Sequence, residues 1–380
     1  MAKSGSIQQA LFGLGLFGGI TVMASPVEAQ SLFVAYPPNT HQTTAEQIFL
    51  IGTAAPDQEV RINGQVVNDR SPAGHFAPSW PLTLGENQFT LTQGDETLIL
   101  QVTRLPLAPV LPETLALTDL TPAVDIARQP GERFCFQAIA PPESAVSVTW
   151  AGQAIPLQVN PNPVVLPANY AVLIAQNAPF ALGAHRYEGC TTLQAGTPAT
   201  APLYTLALGD ETLQQAAPGT LGTLSTDSVE VATVTVESGI ARTGPSTDYS
   251  RLTPLPQGTQ AAITGRQGGW LRLDYGAWIR ASETQIATAA VPPHSIIRSA
   301  ISRQNSSWTE VRFPLEVPVP VTVDQTADSL TLTLHNTTPQ TDTIYIDPDP
   351  AIAGFTWRPL LPDQAQYRFQ LRGQAWGYKL

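Results

Sequence analysis

Hydrophobic and polar residues alternate along most of this chain with a period of two, in short runs closed by Gly, Pro, Asn and Asp. Clear cases are QFTLT (residues 88–92), TLILQVT (97–103), WLRLDY (270–275), SLTLTL (Ser329–Leu334) and residues 367–371. Successive side chains of a strand point to opposite faces, so such runs predict half-buried β-strands. Asn63-Gly64 stands between two β-rich runs and predicts a two-residue hairpin turn. Gly94-Asp95 separates QFTLT from TLILQVT, so those two strands are expected to pair. No long stretch carries a helical period. The expected fold class is all-β: tandem small β-sandwiches and one small barrel.

The runs fall into groups. Residues 30–104 form a first β-sandwich, followed by a Pro-rich linker at 105–112. A second β-domain is expected over 113–225, with strands near 133–138, 146–150, 170–174 and 203–208. Residues 228–287 carry five short strands joined by tight turns at 255–258, 268–269 and 276, the pattern of a small closed barrel. A last β-rich segment spans 297–380, within which the chain is expected to be incomplete.

The N-terminus follows a different rule. Lys3 precedes an uncharged apolar run at 10–24, and a small residue, Ala29, closes the segment. This is the order of a secretory signal peptide (1–29) cleaved after Ala29. The run is about 15 residues, short of the roughly 20 that span a bilayer. The expected location is therefore the periplasm or cell envelope, with no transmembrane segment left after cleavage.

Composition sharpens the class. The chain has 35 Pro and 28 Gly, 43% hydrophobic and 13% charged residues, which suits many short strands punctuated by turns. A net charge of −11 excludes nucleic acid as an expected partner, because phosphates call for a basic surface. Cys135 and Cys190 fall in one domain, and in an exported chain they are either a single disulfide or two buried thiols. The five histidines, at 41, 75, 185, 294 and 335, share no zinc-ligand spacing. No G-x-S-x-G elbow and no Gly-rich phosphate loop occurs. No catalytic residue and no metal ligand can be named.

Ligand chemistry is expected in residues 228–287. Tyr249 lies in the polar loop, Trp270 and Asp274 alternate with Leu271 and Leu273, and Trp278 opens the next strand. A Leu-lined face is core, which leaves Trp270, Arg272 and Asp274 on the outer side. Aromatic rings can stack on the apolar faces of sugars, and Arg242 and Asp274 could meet carboxylates or amines of a short peptide. The competing reading is that Trp270 and Trp278 cover the barrel end. Trp308, Trp357 and Trp376 are expected to be core aromatics.

Several pieces resemble known modules. GTAAPDQEVRINGQVV and GENQFTL are similar to bacterial immunoglobulin-like modules. ARTGPSTDYSRL, PQGT, GGWLRLDYG and WIRAS, in that order, resemble the bacterial Src-homology-3-like barrel. With a C-terminal β-segment ending near QAWGYKL, the series resembles the non-catalytic front half of cyanobacterial N-acetylmuramoyl-L-alanine amidases, whose last β-segment targets the cell wall. That resemblance implies peptidoglycan as partner. It places the zinc amidase domain, with its DPGHGG-type motif, after the point where this chain stops. The DPDP at 347–350 lacks the following Gly and His and is expected to be a turn. No cofactor is therefore expected in this chain, zinc belonging to the missing domain, and the chain is expected to be a fragment, a split gene product or a form that lost its enzyme domain. Binding of envelope proteins through the β-modules is the alternative function.

Overall fold

The computed structural model describes residues 32–106, 110–160, 164–165, 178–305, 308–345, 351–373 and 377–380. The expected leader, the strand near 170–174, the DPDP turn and Trp376 lie outside them. The fold is all-β, with 3-10 turns at Gly183–His185 and Ala281–Glu283 and no helix among the described residues long and apolar enough to cross a membrane. The chain divides into two compact units, Met1–Leu107 and Ala108–Leu380.

The first unit is a sandwich. One sheet has the strand order His41–Thr43, Glu96–Arg104, Gly85–Gln93, Val60–Ile62 and Gln65–Val66. Asn63 and Gly64, with φ of 48° and 80°, make the two-residue turn between its last two strands. This backbone is the mirror-image turn that matches strand twist. Gln93 faces Glu96 across the Gly94-Asp95 turn, the first of nine residue pairs. The opposing layer contains Phe33–Tyr36, Ile51–Thr53 and His75–Phe76, together with the pair Gln47–Phe49 and Ser79–Pro81. Alternate residues from both layers (Ile48, Leu50 and Phe76; Ile62, Leu91 and Val102) fill one core. Gly52 is confined because a Cβ there would stand 2.4 Å from the Phe33 carbonyl and 2.5 Å from the Phe76 ring.

The second unit holds three separate cores. Its first part is a six-stranded sheet in the order Arg133–Ile139, Arg186–Thr192, Gln153–Val159, Ala145–Trp150, Leu203–Leu208 and Glu211–Ala216. Phe136, Trp150, Tyr187 and Tyr204 dominate the core beneath it. Each polar ring atom there finds a backbone acceptor: Trp150 Nε1 donates to Leu221 O at 3.1 Å and Tyr187 Oη to Pro141 O at 2.9 Å. Such partners are what make large polar aromatics tolerable inside a protein.

The next part wraps Val229–Val234, Gln260–Gln267, Trp270–Leu273, Trp278–Arg280 and Thr284–Ala289 around its own core of Val234, Leu255, Ile263, Leu271, Leu273 and Ile279. Gly258, Gly268 and Gly276 turn the chain between these strands at positive φ. This sheet is not closed to its neighbours. Ile126–Arg128 pairs with residues 265–267, and Leu221–Thr223 continues the same sheet. The last part has a four-stranded sheet, Val321–Gln325, Ser329–Leu334, Gln364–Leu371 and Ile352–Leu361. Trp357 packs against its core, as expected. Trp308, expected to be a core aromatic, is instead exposed (57%) just before Thr309–Arg312.

Candidate functional site

The candidate residues of the wrapped sheet divide sharply between structural work and solvent. Arg242 is buried, and its Nη1 donates to the carbonyls of Thr247 at 2.9 Å and Tyr249 at 2.7 Å. Its backbone bridges Arg251 on one side and Trp278 on the other. The guanidinium thus fastens the 243–250 loop from beneath and presents no donor face to a ligand. Burial, then the nearby Arg251 and Arg280, pull its pKa down.

Tyr249 stands on that fastened loop and is 48% exposed. A Cβ on Gly244 would fall 2.4–2.5 Å from three of its ring carbons, so the ring lies directly on the glycine backbone. Only a residue without a side chain leaves room for it. One side of the ring is thereby backed by main chain. Trp270 is half-buried with the Arg280 guanidinium 4.9 Å from its ring centre. Leu271 and Leu273 point into the core, and Trp270 and Arg272 to the other side, as the alternation implies.

Arg272 does not remain available. It forms a two-pronged ion pair with Glu132 of the preceding part, Nη1 to Oε2 at 3.0 Å and Nη2 to Oε1, while Nε bonds Thr264 Oγ1 at 3.0 Å. Burial alone would raise the Glu132 carboxyl. Hydrogen bonds from Arg272 and from the Gln129 amide outweigh it and hold the group low. Trp278 is also occupied. It is 8% exposed, and Arg128 lies 5.3 Å from its ring centre, anchored by Nη1 to Arg266 O at 2.8 Å and Nη2 to Gln267 Oε1 at 2.6 Å. Both Arg272 and Trp278 are thus covered by residues of the second β-part, Glu132 and Arg128.

Asp274 departs most from the sequence expectation of an outer, ligand-facing carboxylate. The strand ends at Leu273, and the Asp274 side chain is covered by the last part of the chain instead of facing solvent. Its Oδ2 accepts from the Ala262 amide at 3.0 Å and from Asn336 Nδ2 at 2.8 Å. Burial raises its pKa, and those hydrogen bonds offset the rise only in part. A raised folded-state value means a stabilising contribution present below the ordinary carboxylate range and lost as pH rises through the folded value. At neutral pH the ionised group is a net cost. Asp274→Asn is expected to raise the melting temperature at pH 7, with the advantage shrinking toward pH 4; a lower melting temperature at both pH values would contradict this assignment.

Cys135 and Cys190 are directly opposite each other in the ladder of Arg133–Ile139 with Arg186–Thr192 and are joined as a disulfide. With Glu188 they make the one group of three potential metal ligands found together among the described residues. The disulfide already engages both sulfurs.

No family model matches the chain, and no curated protein matches it. Among solved structures it is similar to a chimeric titin Z1Z2 tandem carrying a decorin peptide (12% identity, 52% of this chain and 98% of that one, TM-score 0.18). A longer titin fragment shares 10% identity over 70% of this chain and 99% of its own length, with a TM-score of 0.19. A Salmonella alpha-2-macroglobulin mutant shares 11% over 89% of this chain and 23% of its own, with a TM-score of 0.25. At such TM-scores the likeness carries no information on function.

Proposed function

We propose that this chain is an exported cell-wall-binding protein, the targeting region of an N-acetylmuramoyl-L-alanine amidase. In this reading residues 228–287 form a Src-homology-3-like module that engages peptidoglycan. The observation that supports it is Tyr249: an exposed ring backed by Gly244, on a loop fixed by the buried Arg242. A ring held this way loses little freedom on binding, and its outer face suits the apolar side of a sugar. Arg242 acts as a positioning residue. A signal-peptide pattern at residues 1–29 supports a location where the wall is, and the order of modules resembles that of the amidases.

The test is co-sedimentation of the purified chain with isolated peptidoglycan over a range of salt. The chain is expected in the pellet. Tyr249→Ala is expected to weaken binding by up to about tenfold, the effect of losing one aromatic stack worth about 0.5–1.5 kcal/mol, with no change in melting temperature. A chain that stays wholly in the supernatant at every salt concentration overturns the reading.

A protein partner is the second reading, and a separate observation favours it. Phe33 (57% exposed) and Tyr36 (39%) lie on one strand of the first unit and Ile51 (44%) on the strand paired with it, Tyr36 opposite Ile51, while Phe49 (57%) ends the strand just before. Large exposed apolar side chains gathered in this way mark contact surfaces. Saturable capture of one envelope protein without pelleting on peptidoglycan would select this reading.

A further inference from the structure

The wrapped sheet meets the last part of the chain through a small set of polar contacts. Gln260 N donates to Pro318 O at 2.8 Å, Val323 N to Thr253 Oγ1 at 2.8 Å, and Asn336 Nδ2 to Asp274 Oδ2 at 2.8 Å. At the centre of this joint the Tyr275 ring lies against the His335 ring, centroids 4.8 Å apart. His335 bonds Thr322 Oγ1 through Nε2 at 3.2 Å. Its Nδ1 is buried with no hydrogen-bond partner among the described residues, and so is Tyr275 Oη. Two orphaned polar atoms in one contact are costly, and they mark it as a place where stability has been given up.

We infer that His335 makes this joint acid-sensitive: protonation of its ring at mildly acidic pH unseats the last part of the chain from the wrapped sheet. The chemistry follows from the ring's surroundings. A neutral imidazole can donate from Nε2 to Thr322 and leave Nδ1 bare. The imidazolium puts a second N–H on Nδ1, where nothing accepts it, and a charge in a closed contact.

Every titratable or charged neighbour enters the balance. From the 274–276 turn come Tyr275, whose hydroxyl stays protonated, and the Asp274 carboxylate; from the turn before Gln364–Leu371 comes Asp363; Val321–Gln325 supplies only the neutral Thr322. Asp363 and the face of Tyr275 favour the charged ring. Burial opposes it more strongly, and the His335 pKa is depressed. A depressed value means stability fully present above the ordinary imidazole range and lost as pH falls through the folded value. Asp274 titrates with the opposite sign, because its pKa is raised. Acid relieves its buried charge while it loads His335.

The test is amide hydrogen exchange on the whole chain between pH 8 and 5, corrected for intrinsic rates. The Gln260 and Val323 amides report the joint; the Leu273 and Trp278 amides, bonded to Ala277 O and Arg242 O, report the wrapped sheet alone. Opening at the first pair is expected to rise by up to about tenfold per pH unit below about pH 6.5, the linkage limit for one proton, while the second pair holds. His335→Gln, which keeps a donor for Thr322 and cannot charge, is expected to flatten the profile. Asp274→Asn is expected to remove the opposing titration and so to keep the slope or steepen it. A flat native profile, an unchanged slope in His335→Gln, or parallel loss at Leu273 and Trp278 each overturns the proposal. Should His335→Gln fail to fold, the ring nitrogens of the native chain decide: titration at or above the ordinary value overturns it, and titration below supports it.

Discussion

Replacing Cys135 and Cys190 together by Ser is expected to cost about 3–4 kcal/mol of the stability of the second unit. The two residues are 55 apart in sequence. Closing a loop of that length removes about 4 kcal/mol of chain entropy from the unfolded ensemble. In the folded state little changes, because the seven-residue ladder around the pair stays hydrogen-bonded. Arg133–Ile139 is nevertheless the last strand of its sheet, paired along its length with Arg186–Thr192 and held on the other side only near its end, by the Thr118–Ile139 bridge and the bonds between Thr121 and Gln137. It carries Phe136, which packs on Trp150 and Tyr204 at ring distances of 6.0 and 6.5 Å. Losing the covalent tie therefore weakens the strand on which this core depends. Urea unfolding followed by tryptophan fluorescence measures the loss, and a difference below about 1 kcal/mol would show that the unfolded chain gains little freedom when the bridge is removed.

Period-two patterning made the strands legible, and its breaks explain what escaped. Leu271 and Leu273 face the core and Trp270 and Arg272 face away because Trp270–Leu273 is a regular strand. Asp274 follows the same parity but is covered by Asn336 of the last part of the chain, a contact that no local pattern announces. Arg242 gives no local signal, because its role rests on carbonyls five and seven residues further on. The joint between the second part and the wrapped sheet is harder still. Ile126–Arg128 is three residues long, too short to show alternation, and its partners lie some 140 positions away. The sequence leaves open whether the modules pack together; residues 108–380 form one compact unit. Opposite charges at Glu132 and Arg272 were visible in the sequence; that they meet was not, because side-chain pairing between distant segments depends on docking rather than on pattern.

Trp278→Ala is expected to cost about 3–5 kcal/mol, the range for emptying a large buried aromatic site, whereas Trp270→Ala is expected to cost no more than about 1 kcal/mol, the size of its exposed contact with a guanidinium. The two residues occupy one hairpin and differ in what covers them. Trp278 sits beneath Arg128, which is itself tied to Arg266 and Gln267, so removing the ring leaves a cavity and a guanidinium without its platform. Trp270 has Arg280 over it and stays half-open. Thermal unfolding of the two single variants measures the difference, and equal losses would mean that Arg128 does not seal Trp278. The comparison also bears on binding. A ligand that stacked on Trp278 would have to displace Arg128 and peel Ile126–Arg128 from residues 265–267, a ladder backed by the ion pair of Arg272 with Glu132. Tyr249 needs no such displacement. If Trp278→Ala weakens peptidoglycan binding, the loss should track the fraction unfolded, while the loss in Tyr249→Ala should appear in a fully folded chain.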